Sequence, residues 1–257
     1  GSPDIVHAHF GGMGFIAIEA LREEKIPIII TEHSSLVITK NLTNYESECL
    51  KRCVERSNAF ICVSNALKKS VIEITGTDKD IIVVPNMVSS LFKYKGKNSH
   101  ENSFIFLSVG NLVESKRFDL TIEAFTKAFK GNENIKLNIV GGGPLYGNLQ
   151  KYIEKLKMNS QILLLGQLSR QEVAEKMQEC DVFVLASEYE TFGVVYIEAL
   201  ACGKPVIGTH NGGADDIINS KNGIIVDVDN VEQLAGAMKE MYKFSTRFDN
   251  QKISLDC

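Results

Sequence analysis

The stretch Ala186-Ser187-Glu188-Tyr189-Glu190-Thr191-Phe192-Gly193-Val194-Val195-Tyr196-Ile197-Glu198-Ala199-Leu200-Ala201-Cys202-Gly203-Lys204-Pro205 decides the reading of this chain. It joins an apolar strand, a glycine-opened helix and two carboxylates in one strand-to-helix passage. Residues 181–186 read as a buried strand, and Gly203 followed by Pro205 reads as a helix C-cap and stop, so a helix begins near Gly193. The first N–H groups of such a helix have no acceptor within it, and the positive end of its dipole faces the preceding loop. Both suit an anion such as a diphosphate, and Gly193 has no side chain to hold one away. Glu190 stands just outside that end and Glu198 about one turn inside it, so one carboxylate can meet sugar hydroxyls and the other a ribose. The plainer reading has Glu190 complementing the helix dipole and Glu198 in solvent. These residues alone leave both open.

Working outward, short apolar strands alternate with helix-period segments in two series, the pattern of doubly wound α/β domains with parallel sheets. The first series predicts strands at residues 4–7, 27–30, 59–63 and 81–84. Helices are expected at 16–24, 46–56 and 65–74, the last opened by Ser64 as N-cap. The polar stretch 93–103 has the composition of an interdomain linker. The second series predicts strands at 104–109, 136–140, 162–165, 181–185, 205–207 and 224–226. Ser169-Arg170-Gln171-Glu172 and Asp229-Asn230-Val231-Glu232 both read as capping boxes. Ligands of open α/β sheets lie beyond the carboxyl ends of the strands, which is where the informative residues fall.

With 257 residues, 44% of them hydrophobic, the chain can bury one large core or two small ones. No apolar run approaches the roughly 18 residues that span a bilayer. The six cysteines (Cys49, Cys53, Cys62, Cys180, Cys202, Cys257) form no Cys-x-x-Cys pair and no zinc spacing with His. Reduced, mostly buried thiols in a cytoplasmic setting are therefore expected. Net charge is −4. Residues 1–100 contribute +1 (12 Lys/Arg, 11 Asp/Glu) and the remainder −5 (16 against 21), so neither half offers a nucleic-acid surface.

The opening stretch resembles the retaining GT-B-type glycosyltransferases of family 4 (glycosyl transferases group 1). Their signature is Glu, seven residues, Glu, with Phe-Gly after the first Glu and Ala after the second. The matching residues are Glu190, Phe192-Gly193 and Glu198-Ala199. After the strand at 104–109, the resembled loop reads Gly-Arg-Leu with a Lys a few residues on, both basic groups holding the donor diphosphate. Here it reads Gly110-Asn111-Leu112, and then Lys116. Asn111 replaces the Arg, and Arg117, where the family often has Gly, is the candidate substitute. Val140-Gly141-Gly142-Gly143-Pro144 is similar to the family's Val-Gly-Asp-Gly-Pro, with Gly142 in place of the acid; it is either a backbone floor for the donor or a tight turn. Gly166-Gln167-Leu168 resembles the loop whose backbone pairs with the nucleotide base. His210-Asn211-Gly212-Gly213-Ala214-Asp215-Asp216 resembles a Gly-Gly-x-Pro-Glu turn. Two strand-end segments, His7-Ala8-His9 and Thr31-Glu32-His33-Ser34, carry histidines, and the family has His at the position of His33, where donor sugar and acceptor meet. A rival motif is Gly12-Met13-Gly14-Phe15-Ile16-Ala17 followed by Glu32, similar to a dinucleotide-binding fingerprint.

The resemblance implies an α/β fold of GT-B type, two doubly wound Rossmann-like domains with parallel sheets, the N-terminal one incomplete. Residues 1–92 would be the C-terminal half of the acceptor-side domain, 93–103 the linker, 104–246 the donor-binding domain and 247–257 a truncated tail. It implies transfer of a sugar from a UDP-, GDP- or ADP-sugar to a saccharide or glycolipid acceptor with retained anomeric configuration. That transfer proceeds on one face of the sugar without a protein nucleophile. Glu190, Lys116 and His33 are the catalytic candidates. Donor contacts fall to Gly110, Asn111, Lys116, Arg117, Gly141, Gly143, Gln167, Leu168, Glu190, Phe192, Gly193, Val194, Val195 and Glu198. No cofactor beyond the donor, no metal and no nucleic acid is expected. Peripheral contact with the inner face of the plasma membrane fits a glycolipid acceptor, and an exposed edge strand at 4–7 would invite association. The alternatives are a nucleotide-binding fragment or regulatory relative without transfer activity and, less well supported, an NAD(P)-binding Rossmann protein.

Overall fold

Strands buried on both faces need helices on both sides, and two such sheets organise the chain. The structure is a computed structural model that describes residues 2–96 and 103–257. It divides into two compact units, one ending at Asn86 and including Tyr189–Phe192, the other made of Met87–Glu188 and Gly193–Cys257.

In the first unit the elements run β1 (Val6–His9), α1 (Gly11–Ala20), β2 (Ile28–Glu32), α2 (Ser35–Ile38), α3 (Asn44–Arg56), β3 (Ala59–Cys62), α4 (Asn65–Thr75) and β4 (Ile82–Val83). The strands pair in chain order, all parallel, with β1 at one edge. Thr43 and Glu46 close a capping box at the start of α3. Ser64 caps α4, accepting from the Leu67 N–H at 3.0 Å, and Gly76 (φ 65°) ends it. Helix α1 begins at Gly11 rather than near residue 16. Its cap comes from the neighbouring strand, where the Glu32 carboxylate accepts the Gly11 N–H at 2.7 Å. A reading that looks for local caps cannot find one supplied from β2.

The second unit holds β5 (Phe104–Val109), a 3-10 turn (Glu114–Lys116), α5 (Phe118–Phe129), β6 (Ile135–Val140), α6 (Tyr146–Leu156), β7 (Ile162–Leu164), α7 (Arg170–Glu179), β8 (Val182–Val184), α8 (Val194–Ala201), β9 (Val206–Thr209), α9 (Gly213–Ile217), β10 (Gly223–Val226), α10 (Val231–Lys243) and α11 (Asn250–Leu255). All six strands are parallel, in the order β10-β9-β8-β5-β6-β7. Phe106, Phe125 and Phe129 meet in the core in tilted and edge-to-face pairs, with ring centroids 5.4 to 6.0 Å apart. The capping box at Ser169 forms as the sequence predicts. At α10 the cap is Asn230, which accepts the Gln233 N–H at 3.0 Å, while Asp229 turns with φ 58°.

Two expected boundaries shift. Phe92 is buried in the second core and Val88 packs against it, while the Lys93 carbonyl accepts from Gln178 Nε2 at 3.1 Å. Residues 87–92 therefore group with the second unit, whereas the resemblance implies a first domain that runs to residue 92. Of the linker expected at 93–103, residues 97–102 lie outside the described residues. At the other end Phe248 and Ile253 are buried in the same core, and α11 packs on α8, so 247–257 is built into the unit. All six cysteines are free thiols.

The loops beyond β5, β6 and β7 are laced main chain to main chain. Gly110 N–H donates to the Val140 carbonyl (3.1 Å), Leu112 N–H to Gly142 (2.9 Å), Leu145 N–H to Leu112 (3.1 Å) and Gly141 N–H to Gly166 (2.8 Å). A Cβ at Gly141 would stand 1.9 Å from the Gly110 carbonyl oxygen, and one at Gly143 2.6 Å from that of Leu112. Neither distance is tolerable, so the glycine run has a steric cause.

Phe92→Ala should cost the second unit about 3–5 kcal/mol, the range for truncating a buried aromatic. Chemical denaturation followed by circular dichroism measures it, and an unchanged midpoint would detach residues 87–92 from that core. Gly141→Ala should cost about 3 kcal/mol or more, because backbone and not a flexible side chain must move. A variant that melts with the parent would show that the crossing relaxes freely.

Candidate functional site

In the second sheet the strand order reverses between β5 and β8, so the helices that follow those strands leave toward opposite faces. A crevice opens at such a switch point beyond the carboxyl ends of the strands. The loop after β5 spans residues 110–117 and the loop after β8 spans 185–193. Glu188 N–H donates to the Ser115 carbonyl at 2.8 Å and ties the two together.

Helix α8 starts from Gly193, a buried residue in the left-handed region (φ 86°), and continues into Val194 and Val195. A side chain there would be strained, which is why glycine opens this helix. The N–H groups of the first turn have no acceptor within the helix, and its dipole adds partial positive charge at that point. The passage is held from below: Tyr196 Oη donates to the Leu185 carbonyl (2.9 Å) and Thr209 Oγ1 to that of Ser187. Asn211 Oδ1 accepts the Ala214 N–H (2.9 Å) and fixes the neighbouring turn. In that turn Asp215 accepts from Gly212 N–H and meets His210 Nδ1 at 2.6 Å.

Lys116 closes the 3-10 turn of the facing loop, half-buried, its stem running beside Gly110. Asn111 and Gln167 are exposed, and Leu168 is half-buried. A Cβ at Gly142 would come within 3.3 Å of Gln167 Oε1, so Gln167 fills the space where the resembled family starts an acidic side chain. Glu190 and Phe192 are buried, in the segment Tyr189–Phe192 that groups with the first unit. There the Thr191 carbonyl accepts from Ser64 Oγ at 2.6 Å.

Arg117 takes a different place from the one its sequence position suggested. It adopts φ 48°, a conformation costing a non-glycine residue about 1 kcal/mol, which accounts for glycine at this point in the resembled family. Its guanidinium donates to both carboxylate oxygens of Asp119 at 3.2 Å and pairs with Asp229. It lines a cavity of about 570 Å³ that also holds Glu114, Asp119, Glu123, Glu188, Leu149 and Tyr152. Its charge is met there by Asp119 and Asp229.

Glu198 is only 1% exposed, contrary to the solvated alternative. Burial pushes its carboxyl up from the usual range, and the Arg170 guanidinium, with Nη1 2.7 Å from Oε1, works in the opposite direction. In the sequence Arg170 is marked only as a residue inside a capping box. Its partner sits on another helix, and no local pattern marks the pair.

The first unit gathers its own polar cluster at the ends of β1 and β2. His9 Nδ1 lies 3.0 Å from His33 Nε2, and His7 Nε2 lies 2.8 Å from Thr31 Oγ1. Burial, followed by the nearby His9 and His7, lowers the His33 pKa. Glu32 is buried and accepts the N–H groups of Gly11, His33 and Ser34. Desolvation raises its pKa and these three donors oppose the rise. Both oxygens of Glu32 are thus spent on its own loops, which removes the ribose carboxylate that a dinucleotide fingerprint needs. Among the described residues no group of His, Cys, Asp or Glu is arranged to hold a metal ion, and no helix is long and apolar enough to cross a membrane.

The family model for glycosyl transferases group 1 matches residues 92–251, and that for glycosyltransferase family 4 matches residues 1–90. The chain is 27% identical over 252 residues to N-acetyl-alpha-D-glucosaminyl L-malate synthase of Bacillus anthracis, with 93% of this chain and 65% of that protein covered. It is 30% identical over 241 residues to an uncharacterized glycosyltransferase of Methanocaldococcus jannaschii, with the same coverage. The chain thus spans just under two thirds of the length of these relatives. In structure it resembles Anabaena HepE in complex with UDP and glucose, with a TM-score of 0.84 at 19% identity, covering 98% of this chain and 73% of that one. This likeness shows a fold of the GT-B type. The chain belongs to the glycosyl transferases group 1 family.

Proposed function

We propose that this chain binds a nucleotide-diphosphate sugar in its second unit and transfers the sugar to a saccharide or glycolipid acceptor with retention of configuration. The supporting observation is the convergence at one switch point of a helix opened by a left-handed glycine, a lysine on the loop tied to it, and a buried carboxylate inside that helix. The diphosphate would lie against the amides of Gly193 to Val195, with Lys116 taking its negative charge. Those groups are held in place before the bond breaks, so they stabilise the departing diphosphate at little reorganisation cost. Glu198 would hold the ribose, and the main chain around Gly166, Gln167 and Leu168 the base. The laced main chain at Gly110, Gly141 and Gly143 would form the floor. Glu190 is assigned to the hydroxyls of the donor sugar and His33 to the reacting sugar, both from the family resemblance. The charge of the leaving group would be met by Lys116 and the amides without a divalent cation.

The name of the Bacillus anthracis relative makes UDP-N-acetylglucosamine the first donor to assay, and the UDP in the HepE structure supports the choice of base. A cytoplasmic protein with peripheral contact at the inner face of the plasma membrane suits a glycolipid acceptor. The edge strand β1, flanked by exposed Ile5, Phe10, Met13 and Ile16, is the proposed place of association. One observation favours a second reading, a nucleotide-binding protein with little transfer. Asn111 supplies no cation, and Arg117 is neutralised by Asp119 and Asp229. Thermal shift with UDP, GDP and ADP, followed by donor consumption in the presence of acceptors, separates the two.

Lys116→Ala should weaken nucleotide-diphosphate binding roughly tenfold or more, the size of one charge-assisted contact to phosphate. Calorimetry with UDP reads this directly, and unchanged affinity would remove Lys116 from the site. Glu190→Gln should impair binding of the sugar nucleotide more than binding of UDP, whereas Glu198→Gln should weaken both. Equal losses for the two ligands in Glu190→Gln would count against its assignment to the sugar.

A further inference from the structure

Glu198 carries a carboxylate inside the second unit with no hydrogen bond of good geometry to either oxygen, although the residue is 99% buried. What meets it is one guanidinium nitrogen, Arg170 Nη1, 2.7 Å from Oε1. Arg170 is the first residue of α7, directly after the loop at 166–169, and its side chain is 58% exposed. The guanidinium carbon also lies 4.8 Å above the ring of the buried Phe92. One cation is therefore held between a fixed ring and a fixed carboxylate, with its outer side in water.

We propose that Arg170 is a positioning residue: braced on Phe92, it holds the Glu198 carboxylate in the orientation that receives the ribose hydroxyls of the nucleotide. This rests on the reading of Glu198 as the ribose contact. A buried carboxylate with no partner turns toward whatever donor the packing offers or takes up a proton, and in either state it is a poorer acceptor for a diol. Arg170 meets Oε1, and Oε2 has no hydrogen-bond partner of its own. The ion pair has one nitrogen on one oxygen, so a lysine, with its single charged nitrogen, serves in part.

Calorimetric titration of the full chain with UDP and with 2′,3′-dideoxy-UDP isolates the two hydroxyls. The parent should prefer UDP by roughly tenfold, the size of a hydrogen bond to a charged group. Glu198→Gln and Arg170→Gln should both bring that ratio close to one while leaving dideoxy-UDP binding nearly unchanged, and Arg170→Lys should recover much of the preference. An Arg170→Gln variant that keeps the parental ratio, while Glu198→Gln loses it, overturns the role of Arg170 alone. Equal loss of both ligands in Arg170→Gln overturns it too, since that is a general effect on the fold. If Arg170→Gln does not fold, Arg170→Lys decides by whether the ratio stays well above one. A parent without preference overturns the ribose reading of Glu198, and the role of Arg170 falls with it.

Discussion

A carbonyl oxygen that would stand 1.9 Å from any side chain at position 141 fixes how β5 and β6 end, and the candidate site depends on that contact. The two strands leave the sheet main chain against main chain, and a second crossing at Gly143 follows within one turn of chain. The loop at 110–117 consequently has little freedom. It carries Lys116 to the switch point and hands the Ser115 carbonyl to the loop after β8. Groups placed in this way are preorganised by backbone rather than by long side chains, which suits binding of a charged ligand at low entropic cost.

Charge around the second unit is sorted by the same loops. The amide end of α8 opens at the switch point, while the carboxylates Glu114, Asp119, Glu123 and Glu188 line a cavity with Arg117. Arg117 falls on the acidic side because its left-handed backbone turns it toward Asp119 and Asp229. The consequence for the proposed chemistry is a leaving-group grip that relies on Lys116 and backbone N–H groups.

Much of this was legible in the sequence where the signal is local. Strand β5 falls on the predicted residues, because its apolar run is bounded by polar residues on one side and Gly110 on the other. The helix at Gly193 and the cap at Ser169 were legible because glycine stops and capping boxes act over a few residues. What escaped was set by distant partners. The early start of α1 depends on Glu32 in the next strand, and the placement of residues 87–92 depends on a core that Phe92 reaches only in three dimensions. Among the site residues, Glu198 looked equally suited to solvent until α7 supplied Arg170, and the course of Arg117 was hidden in one backbone angle. Motif spacing names the residues. It does not say which neighbours neutralise them.

Hydrogen exchange of the full chain with and without UDP tests the central claim, that a nucleotide diphosphate sits on the opening of α8 at the β5–β8 switch point. The expected result is slowed exchange at the amides of residues 193–196 and 110–116. Exchange at residues 238–243, in the last turns of α10, should not change. Saturating UDP that leaves the amides of 193–196 at their ligand-free rates, or that protects another segment in their place, would contradict it.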